Sequence, residues 1–535
     1  MKISRLGKLL PSWKNVLLAI LAAVLLILAF PDFEYWFLAW FALVPLMWAV
    51  EREKVSVVRS FVLGWIFGAI FFFGTCWWLT YAPVHYAGFP PWLAYSGMVF
   101  VAVVVGVFPA IFAGILSILL RRFGSWGYLA APFVWVFTEF LRYWLTGNNW
   151  NAIGYSQAFV TLPGGIIATM AKFGGVELSS FVVVAVGTSV AMTIIPFRYR
   201  KIETLKYRGL HIFLLVLPTP LGILVACFIP VIISLGFVKS GGRPNEVAVV
   251  AIQPNVPMSA LDSSKLQQLG QRQIDLAEIE IKKQRTANNK LPTTVILPES
   301  PMNFMYNDDR EFQRFIGDFA RRNNVSVLFN SAEPDKTNGK YFNSAVMVGP
   351  DGREVAEYDK IYLLPFGEAV PAPLEGILPG FVGNFSYGRE YDLLPVGDAK
   401  AGVMICFESH FGALSREYVL GGADVIIEMT NDGYLGPTPV LRQHLANAVF
   451  RAVETNRPVL RVTNVGITAY ITEKGAVLDA TSPYQEDTRV WSVSKSDGSQ
   501  TFYVRYGDWF AWLCSGITLL LIALTIRKKE TTISS

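Results

Sequence analysis

The first 238 residues alternate between apolar stretches long enough to cross a bilayer and short connections where Lys and Arg collect. Crossing takes about 20 apolar residues. Candidates fall at 15–30, 33–50, 60–80, 92–120, 126–145, 176–196 and 211–238, with another at 508–526. Hydrocarbon offers the backbone no water to bond, so each segment is expected to be a helix. The first follows Lys2, Arg5, Lys8 and Lys14 as a signal peptide would, but Pro31-Asp32-Phe33 provides no small-residue cleavage site and a second apolar run begins at once. It is therefore counted as a span.

Lys and Arg mark the cytoplasmic side of such a chain. Arg52, Lys54 and Arg59 follow the second segment, and Arg121 and Arg122 the fourth. Arg198, Arg200, Lys201, Lys206 and Arg208 follow the sixth, and Arg527, Lys528 and Lys529 the last. The connections after the first and third carry none, and the long one after the fifth carries only Lys172. The alternation predicts eight transmembrane helices, both termini in the cytoplasm, and residues 239–507 on the outer side. Three parts follow: 1–238 with seven helices, 239–507, and 508–535 with the last helix and a tail. Charged residues are 16% of the chain against about 25% in soluble domains, a deficit confined to the apolar parts. The net charge of +5 is modest, and no basic patch interleaved with aromatics points to nucleic acid.

Trp36, Trp77, Trp78, Trp92 and Trp150 lie near expected span ends and read as interfacial anchors. Glu139 and Arg142, three apart within the fifth segment, can pair on one helix face, and structural pairing is favoured over a substrate role. The stretch Leu162 to Gly175, with its Pro163-Gly164-Gly165 and Gly174-Gly175, is too broken for a clean helix and is expected at the outer surface or dipping back in.

After Gly241-Gly242 the pattern becomes that of a layered α/β fold. Short apolar runs at 247–252, 293–297, 325–329, 344–348, 401–405, 425–427, 459–462 and 468–471 read as strands. Helical patterns lie at about 264–285, 310–323, 410–420 and 440–456, and Pro350-Asp351-Gly352 marks a hairpin turn. No long sequence repeat is evident. Glu299 and Cys406 follow strands closely, where ligand sites of such sheets gather. Cys76, Cys227 and Cys514 fall in spans and read as small apolar residues, which leaves Cys406 as the one thiol of the exported part. An unpaired exported cysteine suggests a reactive thiol or an intermolecular bridge, with an inert buried residue as the alternative. His410 and His444 are the candidate bases of a Cys-His pair, and His410 is expected on a helix surface. A buried carboxylate can also serve as base, with Glu299, Lys360 and Cys406 as base, oxyanion cation and nucleophile. Periodicity does not show whether the three meet.

Leu297-Pro298-Glu299, Tyr358-Asp359-Lys360, Leu364-Pro365-Phe366-Gly367-Glu368 and Ile405-Cys406-Phe407-Glu408 resemble the Glu-Lys-Cys motifs of the nitrilase (carbon-nitrogen hydrolase) superfamily. Further segments are Glu139-Phe140-Leu141-Arg142, Trp150 to Gln157, Asn431-Asp432-Gly433-Tyr434, and Arg457-Pro458 through Thr463 to Thr468. With the spans, they make nearly the whole chain similar to the bacterial apolipoprotein N-acyltransferases. The resemblance implies a nitrilase-like αββα sandwich outside the inner membrane, working as a monomer without cofactor or metal. It implies acyl transfer from a phospholipid, typically the sn-1 chain of phosphatidylethanolamine, to Cys406 as a thioester. The acyl group then passes to the α-amino group of a lipoprotein's diacylglyceryl-cysteine. Glu299 would be the general base. Lys360, with the backbone N–H of Phe407, would hold the oxyanion. Glu368 and Glu408 would hold Lys360 and shape the pocket, and Asn343 would be a further polar site residue. The family often has Tyr where Phe407 stands, Trp where Tyr434 stands, and a Trp within 256–262 that is absent here. These departures, and Phe407 and Tyr434 as substrate contacts, bear on lipid preference more than on chemistry. The alternatives are a membrane-anchored amidase of the same triad, which would pass the acyl group to water, and a transporter or scaffold whose outer part only binds.

Overall fold

The computed structural model describes residues 10–160, 166–195, 247–259, 261–287, 291–302, 304–365, 367–370 and 385–526. It divides into two compact units, Met1–Lys239 with Asp508–Ser535, and Ser240–Gly507. The expected span 211–238, Cys227, the basic clusters around 198–208 and 527–529, and Phe366 lie outside the described residues.

The longer helices of the first unit are α1 (Trp13–Leu28), α2 (Ala39–Glu53), α3 (Val57–Cys76), α4 (Pro91–Val105), α5 (Val107–Phe123), α6 (Ala131–Thr146), α7 (Ala171–Ile194) and a C-terminal helix, Trp509–Ile526. Four helical stretches among the described residues are long and apolar enough to cross a membrane: Val57–His85, Pro91–Thr146, Ala171–Ile194 and Trp509–Ile526. Helix α1 is apolar but shorter. The stretch expected as one span at 92–120 is two helices that meet at Gly106. Pro109 has no N–H to offer the carbonyl four residues before it, which interrupts the ladder there.

Small residues set the closest packing. A Cβ on Gly64 would lie 2.3 Å from the Pro109 carbonyl oxygen, and one on Gly68 would lie 2.8 Å from the Gly106 Cα, so α3 and α5 meet backbone to backbone. Such contact is how helices associate where lipid removes the hydrophobic drive. Of the stretch expected to be too broken for a helix, Pro163-Gly164-Gly165 lies outside the described residues and Ile166–Thr169 is helical, while Gly174 and Gly175 leave the helical conformation within α7.

Glu139 and Arg142 are buried on α6, but each is held by the irregular segment 149–153. Glu139 Oε1 accepts from the Ile153 N–H at 2.8 Å and from the Trp135 indole at 2.8 Å. Arg142 donates to the Trp150 carbonyl at 2.8 Å and to Asn149 at 3.3 Å, and Asn149 donates to Glu177 at 3.1 Å. The two charges thus satisfy non-helical backbone that lipid could not. Trp78 is no interfacial anchor: it is buried and packs on Trp150 with ring centroids 5.1 Å apart.

The second unit is built on two six-stranded sheets. One runs in the order β12-β1-β2-β3-β4-β5, from β1 (Val247–Gln253), β2 (Thr293–Ile296), β3 (Ser326–Pro334), β4 (Tyr341–Val348), β5 (Glu354–Asp359) and β12 (Asp487–Val493). The other runs β11-β10-β9-β8-β7-β6, from β6 (Leu393–Val396), β7 (Ala399–Ile405), β8 (Val425–Thr430), β9 (Val459–Thr463), β10 (Ala469–Ile471) and β11 (Val477–Leu478). Each sheet has three parallel central strands, β1-β2-β3 and β7-β8-β9, flanked by antiparallel ones. The topology therefore repeats although the sequence does not.

The inner strands of the first sheet are buried on both faces. Val250, Ile252, Val295, Leu297, Val327, Phe329, Val346 and Val348 face helices α8 (Ser263–Thr286) and α9 (Arg310–Asn323), meeting Ile274, Ile281, Phe312, Ile316 and Phe319. Asp262 and Asp309 cap these helices by accepting their first free N–H groups. Gln253 on β1 accepts from Thr463 on β9 at 3.1 Å, so the sheets stack. Helices α10 (Gly412–Leu420) and α11 (Val440–Thr455) cover the second sheet, giving four layers.

Candidate active site

Three strand ends bring the three candidate side chains together. Glu299 lies just beyond β2, Lys360 directly follows β5, and Cys406 directly follows β7 of the other sheet. Glu299 Oε1 is 3.8 Å from Lys360 Nζ, and Glu299 Oε2 accepts from the Asn431 N–H at 3.0 Å. The Cys406 thiol is among the groups that act on the same carboxyl. Lys360 Nζ lies 2.7 Å from Glu368 Oε1. Asn343, on β4, donates to Glu299 at 3.1 Å and to Glu368 at 2.7 Å, and accepts from Asn330 at 2.7 Å. Its amide thus keeps two carboxylates side by side. The Lys360 side chain is 1% exposed and both carboxylates 14%, so the ammonium forms the floor and the carboxylates reach the opening.

Cys406 sits at a sharp corner. Its φ is +53°, a left-handed conformation that costs a non-glycine residue about 1–3 kcal/mol and has to be held by its surroundings. Glu408 clamps the corner. Its Oε2 accepts from the Ile405 N–H at 2.8 Å. Its Oε1 accepts from the N–H groups of Ile361 at 2.7 Å and Tyr362 at 3.0 Å, and from the Tyr358 hydroxyl at 2.8 Å. Expected to hold Lys360 directly, Glu408 instead ties the backbone after Lys360 to the backbone before Cys406. Glu368 is the carboxylate that grips the ammonium itself, while its Oε2 accepts from the Leu364 N–H at 2.7 Å.

The electrostatics follow from burial in a small charged space. Burial pushes the Glu299 carboxyl above its ordinary range; Lys360 works against this and Glu368 adds to it. The burial of Lys360 opposes its charge, but Glu368 and Glu299 outweigh that and push the ammonium up, so it stays cationic. Burial and the Glu299 charge push the Cys406 thiol well up, opposed by Lys360. The thiol therefore needs a partner to take its proton, and a carboxylate of raised basicity stands beside it.

The Apolipoprotein N-acyltransferase N-terminal domain model matches residues 22–189, and the Carbon-nitrogen hydrolase model matches residues 292–501. The apolipoprotein N-acyltransferase of Geobacter metallireducens is 31% identical, with the match covering 97% of this chain and 96% of that one. The belonging is decided by that full-length match. The chain is a member of the apolipoprotein N-acyltransferase family. The enzymes of the same name from Thermotoga maritima (29% identical, 96% and 94% covered) and Pasteurella multocida (27%, 95% and 94%) are similar over the same extent.

In this N-acyltransferase His410 lies elsewhere than expected. His410 is buried, not on a helix surface: its Nδ1 is 2.8 Å from the Phe407 carbonyl and its ring lies 5.7 Å from that of His444. Phe407 is 9% exposed and packs on His410 and Phe411, whereas Tyr434 is 49% exposed. The sequence named His444 only as a candidate base and Asn431 and Asp432 only within a motif; it did not foresee that the Asn431 N–H reaches Glu299, or that Glu428, Asp432, His444 and Arg461 form a buried set behind Cys406. A signal was present: Glu428 and Arg461 each interrupt an apolar strand, and such charges are buried only when paired.

Proposed function

We propose that the enzyme moves an acyl chain from a phospholipid to Cys406 and from there to the α-amino group of a diacylated lipoprotein's N-terminal cysteine. The convergence of Glu299, Lys360 and Cys406 at the ends of three strands carries this reading. Glu299 takes the thiol proton and Sγ attacks the sn-1 ester carbonyl. Lys360 and the Phe407 N–H face the oxyanion, replacing water with fixed donors. Collapse breaks the bond to the glycerol oxygen, to which Glu299 returns the proton, leaving a lysophospholipid and a thioester. The acceptor nitrogen then attacks the thioester carbonyl, loses its proton to Glu299, and the departing thiolate regains it. Glu368 and Asn343 hold the base and the cation in place, and Glu408 holds the corner.

The supporting expectations form part of the same proposal. The chain has eight spans in the bacterial inner membrane, with both termini cytoplasmic and 239–507 periplasmic, as the Lys and Arg alternation supports. The donor is phosphatidylethanolamine and the enzyme acts as a monomer. Mass spectrometry of a diacylated lipopeptide incubated with phospholipid and enzyme should show one added acyl chain in amide linkage. Acyl-labelled phospholipid should label wild type, and not Cys406→Ser, through a hydroxylamine-sensitive bond. Free fatty acid without amide, or equal labelling of Cys406→Ser, would overturn the reading.

A further inference from the structure

Behind the corner that carries Cys406, four buried charged side chains meet from separate elements. Glu428 comes from β8, Asp432 from the turn after it, Arg461 from β9 and His444 from α11. Arg461 lies 2.5 Å from Glu428 and 2.8 Å from Asp432. His444 Nδ1 is 2.7 Å from Asp432 Oδ1, and His444 Nε2 is 3.2 Å from Glu428 Oε1. The same Nε2 is 3.1 Å from the carbonyl oxygen of Cys406. Two carboxylates and two cations nearly neutralise one another, so the set can be buried whole. His410 also faces His444, and Arg451 on α11 bonds the His410 carbonyl at 3.0 Å.

Three observations bear on the role of this set. Cys406 occupies a left-handed conformation that its environment must hold. Glu408 fixes the chain on one side of it by accepting from the Ile405 N–H. The imidazole reaches the Cys406 carbonyl, and its orientation is set by Asp432, which Arg461 anchors in turn. Gly466 belongs to the same arrangement, since a Cβ there would lie 2.2 Å from Asp432 Oδ2.

We propose that His444 is a positioning residue for acyl transfer: oriented by Asp432, it bonds the Cys406 carbonyl and so aims Sγ at Glu299 and the incoming ester. The imidazole never meets the acyl group and acts through the main chain of the nucleophile. This rests on Cys406 being the acyl carrier. Asp432 and Glu428 outweigh burial and the Arg461 charge to push the imidazole up to about 9, so both ring nitrogens donate at neutral pH.

The test is the single-turnover rate of Cys406 acylation by phosphatidylethanolamine in detergent micelles, per mole of folded enzyme. His444→Gln can place an amide N–H where Nε2 stands, and His444→Ala cannot. Loss of the bond is expected to slow acylation roughly 10- to 100-fold in His444→Ala, with substantial recovery in His444→Gln. Asp432→Asn, which leaves the ring in place but weakens its orientation, is expected to fall between them. Should His444→Ala not fold, His444→Gln and Asp432→Asn decide. Wild-type rates in any folded His444→Ala, or His444→Gln no faster than His444→Ala, would overturn the inference, as would wild-type rates in both remaining variants. Absence of a thioester in wild type would instead overturn the function proposed above, so the two failures are distinguishable.

Discussion

Lys360 Nζ lies 2.7 Å from Glu368 but 3.8 Å from Glu299. The cation is gripped by the carboxylate proposed to support the site, and it stands back from the one proposed as base. A full ion pair with Lys360 would hold Glu299 ionised and weaken it as a proton acceptor. The arrangement leaves burial as the dominant influence on Glu299.

Glu368→Gln tests that division. It removes a like charge from beside Glu299 and frees Lys360 to approach it, so the Glu299 pKa should drop. The acid limb of the acylation rate against pH should move to lower pH, and the plateau rate should fall about 10-fold or more. An unmoved acid limb would show that Glu368 does not tune Glu299.

Glu408 should couple stability to pH. Burial pushes its carboxyl up to about 7 from the ordinary 4.5, despite the bonds from Ile405, Tyr362 and Tyr358. A raised carboxyl stabilises the fold fully below about 4.5, and that contribution is lost as pH rises through about 7. Glu408→Gln should remove this dependence from melting curves between pH 4.5 and 8. It should also cost about 1–3 kcal/mol, because the amide turns a donor toward a backbone N–H.

Asp432→Asn should destabilise the second unit by about 3–5 kcal/mol, since Arg461 and His444 lose a buried carboxylate. His444 is raised from 6.5 to about 9, so its contribution is complete below about 6.5 and fades as pH rises through about 9. Wild-type melting temperature should decline over that window, and the variant's should decline less. Thermal melts at pH 6 to 10 measure both.

Gly64→Leu should separate α3 from α5. The new side chain would meet the Pro109 carbonyl and Ala113, and neither can withdraw without moving α5. A loss of about 1–3 kcal/mol is expected from overpacking. A lowered melting temperature in detergent, with Gly97→Leu as the neutral comparison, would show it; Gly97 has open space around it.

Apolar periodicity and turn chemistry made most elements of the second unit legible. The helix expected at 310–323 is Arg310–Asn323, and the one expected at 440–456 is Val440–Thr455. The strands β5, β6, β11 and β12, the four sheet edges, were not legible, because such strands are short or, like Glu354–Asp359, half polar. The matching strand orders of the two sheets were invisible as well, since topology can repeat where side chains do not.

By itself, the sequence determined that the chain carries long apolar helices, that an α/β part lies between them, and which Glu, Lys and Cys to examine. Local runs and motifs carry that information. Only the tertiary structure decided that Glu368 grips Lys360, that Glu408 clamps backbone instead, and that His444 reaches the Cys406 carbonyl. Residues 299, 360 and 406 are far apart in the chain and stand at strand ends of two different sheets, and residue 444 comes from a helix. Such contacts depend on how the layers stack, which no local pattern encodes.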